Sequence, residues 1–147
     1  MKIRKVVEAD VNKIVKLRRD SFENIAKRMD SIEVYKTLVS KNTSENILRK
    51  IREREMFCLF DGDEIFGTVC LSEDEISGVY VRFDKVKQGL GKELMRFIEE
   101  HAKTKGIGKV WLDSAEKAKD FYSKLGYVVV EEIEKNNGIN YLMEKKL

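Results

Sequence analysis

The strongest constraint in this sequence is a change of period in its middle. Residues Ile76 to Phe83 read as a β-strand, and Gly89 to Lys105 read as an amphipathic helix with Leu90, Leu94, Phe97 and Ile98 on one stripe. Between them lies a short polar turn, and two glycines open the helix. Lys109 to Leu112 then returns as a strand. A strand–helix–strand unit needs a crossover, so these two strands should run parallel.

The rest of the pattern is organised around that unit. Upstream, Met56–Phe60, Ile65–Leu71 and Ile76–Phe83 are separated by turn signals at Asp61-Gly62-Asp63 and Ser72–Asp74, which predicts an antiparallel meander. Ile3–Val7 precedes it as a short strand. Ala9–Phe22 carries Val11, Ile14, Val15 and Leu17 at helical spacing, with Asp10 placed as a cap or first-turn acid. Ser31–Ile51 is helical but broken at Asn42-Thr43-Ser44, so two helices are expected. Downstream come a helix over Ala115–Leu125, a strand over Tyr127–Ile133, a hairpin turn at Asn137-Gly138 and a last strand over Ile139–Met143. The expected fold is α/β: a mixed, mostly antiparallel sheet with one central parallel pair and helices on both faces.

Composition sets the remaining bounds. The 147 residues fit one domain, residues 1–147, and 42% apolar content is enough for one core. Charged residues reach 37%, but both signs are mixed and the net charge is only +3. This speaks against a dedicated nucleic-acid binder, which concentrates basic charge on one face. No run approaches the roughly 18 apolar residues of a membrane span. Met1–Val7 lacks a secretory h-region, so a cytoplasmic location is expected. Cys58 and Cys70 are offset in the predicted hairpin, which predicts two buried thiols and no disulfide. No Cys/His cluster has metal spacing, so no metal is expected.

The segment Val86-Lys87-Gln88-Gly89-Leu90-Gly91-Lys92 carries the chemistry. The first amides of a helix have no partner within it, glycine allows close approach, and the dipole favours an anion. Lys85, Lys87 and Lys92 add charge. A pyrophosphate site and a simple tight turn are both consistent with this much. A dinucleotide fingerprint would need a third glycine where Leu94 stands.

This stretch resembles the central motif of the GNAT superfamily of N-acetyltransferases, Gln/Arg-x-x-Gly-x-Gly/Ala. Gly89 and Gly91 match, and Val86 departs at the first position. Upstream, Glu75-Ile76-Ser77-Gly78-Val79-Tyr80-Val81 resembles the family's fourth strand. Downstream, Ala118, Phe121, Tyr122, Lys124, Gly126 and Tyr127 match its later motif, Ala-x-x-Phe-Tyr-x-Lys-x-Gly-Phe/Tyr, with Ser114 near the family's frequent Asn. The resemblance implies a sheet that splays between the parallel strands and holds acetyl-coenzyme A there. It implies main-chain pairing of Val79, Tyr80 and Val81 with the pantetheine arm, and a bulge that aims an amide at the thioester oxygen. It places Val86, Lys87, Gln88, Gly89, Leu90, Gly91 and Lys92 at the pyrophosphate, and Ser114, Ala118, Tyr122 and Lys124 beside the cofactor.

The implied activity is direct transfer of an acetyl group to a primary amine of a small molecule or peptide. A non-catalytic acyl-coenzyme A sensor is the alternative. A lysine-like amine is neutral in only about one in a thousand molecules at pH 7, so a proton route matters. Glu75 is the candidate base, directly or through water; a solvated place in the acidic run Glu73-Asp74-Glu75 is its other reading. Tyr122 is the candidate acid for the leaving thiolate; packing in the stripe Ala118, Phe121, Tyr122 and Leu125 is its other reading, and Phe121 is expected only to pack. His101, late on its helix, is expected to complement the dipole. Trp111 is expected to pack. The acceptor wall is expected from residues 22–54 and the Asn137-Gly138 hairpin. A monomer and a homodimer both remain open.

Overall fold

The computed structural model describes residues 1–26, 32–135 and 138–147. A seven-stranded sheet runs in the order β1-β2-β3-β4-β5-β7-β6. Its strands are β1 (Lys2–Lys5), β2 (Glu55–Asp61), β3 (Glu64–Ser72), β4 (Glu75–Val81), β5 (Lys109–Ala115), β6 (Val128–Lys135) and β7 (Gly138–Lys146). Neighbours are antiparallel except β4 and β5, which are parallel. The helices are α1 (Val11–Ala26), α2 (Ile32–Lys41), α3 (Ser44–Glu53), α4 (Leu90–Thr104) and α5 (Lys119–Lys124). The mixed fold, the parallel pair and the helices on both faces follow the sequence pattern.

Two cores lie on the two faces. On one, Leu90, Leu94, Ile98 and Ala102 of α4 repeat every four residues and pack on Phe57, Leu59, Phe66, Val69 and Leu71. On the other, Val11, Ile14 and Leu17 of α1 and Ile47 of α3 cover Met56, Cys58 and Phe60. The alternation along β2 decides which face each residue serves. In β3 a bulge opposite Leu59 and Phe60 shifts that phase, so Phe66 and Val69 both face α4. Both cysteines are free and buried.

Several boundaries differ from the sequence pattern. Asn42-Thr43-Ser44 does separate two helices: Thr43 Oγ1 caps α3 by accepting from Asn46 N–H at 3.2 Å. Asp10 instead serves the turn before α1. Its carboxylate accepts from Val7 N–H at 2.9 Å and pairs with Arg4 at 2.9 Å. The expected helix over Ala115–Leu125 starts later and in two parts: β5 stays paired with β7 as far as Ala115 opposite Asn140, Glu116–Ala118 form a 3-10 turn, and the α-helix runs over Lys119–Lys124. Gly106, at φ +79°, ends α4, with Ile107 N–H donating to Ala102 O at 3.1 Å. Ser31 and Asn137 lie outside the described residues.

Candidate active site

The parallel pair meets at one register point only, Glu75 opposite Trp111. Trp111 fixes that point twice: its N–H donates to Asp74 O at 3.0 Å, and its indole Nε1 donates to Asp74 Oδ1 at 3.0 Å. Trp111 is thus a clasp at the closed end of the gap rather than mere packing. Beyond it the strands part, and Val81 lies about 20 Å further along β4.

A bulge interrupts β4 midway. Thr68 pairs with Tyr80 and Cys70 with Ser77, so Gly78 and Val79 face the single residue Val69. Gly78 takes φ +59°, which a side chain resists. Buried Thr68 donates its hydroxyl to Gly78 O at 2.8 Å. After the bulge, the side chains of Val79 and Val81 pack on the α4 core.

At the open end, Arg82 braces the turn into α4. Its guanidinium forks onto Asp84 at 2.7 and 3.1 Å and lies 4.4 Å over the ring of Phe66. The hydrogen bond to Arg82 is the largest effect holding the Asp84 carboxyl below its ordinary pKa. Lys87 takes φ +65° and Gly89, the residue before α4, φ +79°, and no side chain caps the helix. Glu93 N–H is the first to bond back, to Gly89 O at 3.1 Å. The amides of Leu90, Gly91 and Lys92 are therefore left for an outside acceptor. A side chain on Gly91 would stand 3.0 Å from Phe121 Cζ, whereas Gly89 faces open space. Val86, Lys87, Gln88 and Lys92 are exposed around this helix start. A diphosphate fits its donor set: free amides, a helix start and lysines.

Tyr122 sits beside the gap, 9% exposed, with Phe121 and Tyr127 edge-on at 5.0 and 5.9 Å. Burial, and then the neighbouring Tyr80, push its phenol up to about 12. Among the described residues its hydroxyl has no hydrogen-bond partner. Ala118 is half-buried against the same core and Lys124 is exposed. Ser114 lies in β5, fully buried, with its hydroxyl donating to Ala115 O at 2.8 Å. Glu75 is half-buried at the closed end of the gap, three residues before the bulge and in register with Trp111. The structure thus brings Gly91 at the start of α4 onto Phe121 of α5, and puts Glu75 at the other end of β4 from Val81.

Phe121 departs from expectation. It is 37% exposed, and its ring closes on Gly91 at the start of α4. The aromatic neighbour of Tyr122 in the motif was the available signal. The brace of Arg82 on Asp84 was also missed; a basic and an acidic residue two apart in a turn is too common to stand out. Arg18, 3% exposed with its guanidinium 4.7 Å over Tyr80, was missed because nothing marks a lone helical arginine as buried. His101 bonds Glu55 at 2.5 Å instead of serving the gap. A depression of about 540 Å³ lined by Met1, Arg4, Lys13 and Phe60 shares no residue with the gap. Among the described residues no group of His, Cys, Asp and Glu could hold a metal, and no helix could cross a membrane.

A mixed sheet split at its parallel pair, with a glycine-opened helix start at the mouth of the split, defines the acetyltransferase class of α/β fold. The chain belongs to the GNAT acetyltransferase family, whose domain model matches residues 23–147. Solved structures agree in fold. A GCN5-related N-acetyltransferase from Rhodopseudomonas palustris superposes with a TM-score of 0.88 at 20% identity, covering 99% of this chain and 95% of that one. The PaiA N-acetyltransferase from Thermoplasma acidophilum, in complex with coenzyme A, gives 0.85 at 21%, covering 99% and 98%. The aminoglycoside 6'-N-acetyltransferase from Enterococcus faecium gives 0.77 at 16%, covering 99% and 97%. No curated protein matches by sequence.

Proposed function

We propose that this protein transfers an acetyl group from acetyl-coenzyme A to a primary amine, directly, within a ternary complex. The observation that carries the reading is the uncapped start of α4 beside Gly91, at the mouth of the β4–β5 gap. In this reading the amides of Leu90, Gly91 and Lys92 hold the pyrophosphate, with Val86, Lys87 and Gln88 around it. The main chain of Val79, Tyr80 and Val81 pairs with the pantetheine arm like an added strand. Ser114, Ala118 and Lys124 line the far side. Tyr122 donates a hydrogen bond to the departing sulfur. Glu75 receives the amine's proton through water, since it lies at the far end of β4.

Direct transfer is favoured over an acyl-enzyme. Burial pushes both cysteine thiols above their ordinary range, so neither supplies a thiolate. The test is thiol release from acetyl-coenzyme A across a panel of amines. Turnover with at least one amine supports the reading. Tight binding of coenzyme A with no turnover across the panel favours the sensor module instead.

A further inference from the structure

The face of β4 turned toward α1 and α3 gathers three cations. Arg18 of α1 is 3% exposed, and its Nε has no hydrogen-bond partner. Arg54, just after α3, donates from Nη1 to Ser77 Oγ at 3.1 Å. Lys50 of α3 is half-buried. Among the described residues none of the three forms an ion pair, although Arg4, Arg52, Arg82, His101 and several lysines elsewhere do. Burial first, then the charges of Arg18 and Arg54, push the Lys50 ammonium down.

Such a cluster costs stability unless something balances it, because like charges repel and the buried Nε of Arg18 has given up water without gaining a hydrogen bond; the Tyr80 ring offsets only part of that. Its position says what the balance is for. A side chain on Gly78 would stand 3.1 Å from Arg18 Nη2 and 3.0 Å from Cys70 Sγ. The glycine therefore lets Arg18 lie directly on the bulge of β4. Tyr80, which neighbours Tyr122, carries the same guanidinium on its ring. The unpaired charge thus sits beside the gap, on the face opposite α4.

We propose that the acceptor amine carries an anionic oxygen group, a carboxylate or a phosphate, which Arg18, Lys50 and Arg54 hold beside the bulge of β4. This rests on the transferase reading above and narrows it: polycationic amines are poor acceptors. A planar guanidinium matches two oxygens of either anion.

The experiment measures kcat/KM for matched acceptors: α- and ω-amino acids against their carboxamides, and aminoalkyl phosphates against the amino alcohols. Wild type is expected to prefer the anionic member of at least one pair by about tenfold or more. In Arg18→Gln that ratio falls toward one, through KM. Arg54→Gln and Lys50→Gln lie at less buried positions and lower it partway if Arg18→Gln does not fold. The carboxylate and phosphate arms tell the two anions apart. Equal turnover within every pair, or preference for the uncharged member, overturns the proposal while leaving the transferase intact. If no amine turns over, thermal shifts with the same anions decide: stabilisation by an amino acid or phosphate that Arg18→Gln abolishes supports the site, and no stabilisation overturns it.

Discussion

Replacing Tyr122 by Phe isolates one hydroxyl from a packed ring. The ring is 9% exposed and the hydroxyl has no partner among the described residues, so the unliganded protein loses packing nowhere. Its stability should change by less than about 0.5 kcal/mol, roughly 2 °C in Tm for a chain of this size. The catalytic effect follows from the phenol's acidity. With the phenol pushed up to about 12 by burial, full proton transfer to a thiolate of ordinary pKa near 8.5 is uphill by about 5 kcal/mol. Donation of a hydrogen bond to the developing charge is the cheaper course, worth about 1.5–3 kcal/mol. Tyr122→Phe should therefore lower kcat by about 10- to 150-fold while coenzyme A affinity, by titration calorimetry, stays within about twofold. The protonated phenol is the donor, so the hydroxyl's contribution persists below a pH of about 12 and disappears above it. Wild type and variant should keep a constant ratio from about pH 6 to 10. An unchanged kcat would remove Tyr122 from the reaction. A ratio that shrinks across that pH range would refute the hydrogen-bond argument.

Other outcomes are as direct. Gly91→Glu places a carboxylate where the pyrophosphate is proposed, a conflict worth several kcal/mol, so calorimetry should show at least about a hundredfold weaker coenzyme A binding; because exposed Phe121 can swing aside, the apo melting curve should move little. Glu75→Gln should slow turnover at neutral pH, and the deficit should close as pH approaches the acceptor's own pKa, where the amine deprotonates unaided; a pH-independent deficit would argue for a structural role. Asp10→Asn should cost about 1–3 kcal/mol at neutral pH in urea denaturation, from loss of the fork to Arg4 and the bond from Val7. Burial opposes ionisation there, but Arg4 and Val7 win and hold the folded carboxyl below its ordinary value. The stabilisation is therefore full above the unfolded pKa near 3.9 and is lost as pH falls through the folded one, so the two proteins should converge in acid.

The order of strands and helices was legible because turn signals separate the elements and the long helices keep a helical period. β2 and β3 are apolar runs, buried on both faces, on either side of Asp61-Gly62-Asp63, and α4 repeats its apolar residues every four. Boundaries failed where tertiary pairing overrode local preference. Ala115 looks like the start of a helix, yet β7 offers it a strand partner; Glu116–Ala118 then form a 3-10 turn before α5 begins at Lys119. The uncapped start of α4 was legible because Gly89 and Gly91 leave a signature in one dimension. Phe121 was misassigned because a helical stripe reports which residues share a face, not whether that face meets a core or the lip of a groove. Here α5 is too short to bury its first aromatic, and the ring leans on Gly91 instead.

The free amides at the start of α4 were legible from Gly89 and Gly91, whereas the burial of Arg18 without an acid was not. Elsewhere several of the half-buried charges are matched: Arg82 has Asp84 and Glu64, Lys145 has Glu99, and Arg4 has Asp10. Two places beside β4 are left unmatched among the described residues. The start of α4 has free amides and no capping side chain, although Thr43 shows the chain caps α3. Arg18 is buried without an acid, although acids are plentiful in the sequence. A local rule broken without visible compensation marks a functional position more often than an error of folding. Both breaks flank the same gap, one on each face of β4. In the proposed reading one takes the phosphates of a donor and the other the anion of an acceptor, and the divergence of β4 from β5 is where the two would meet.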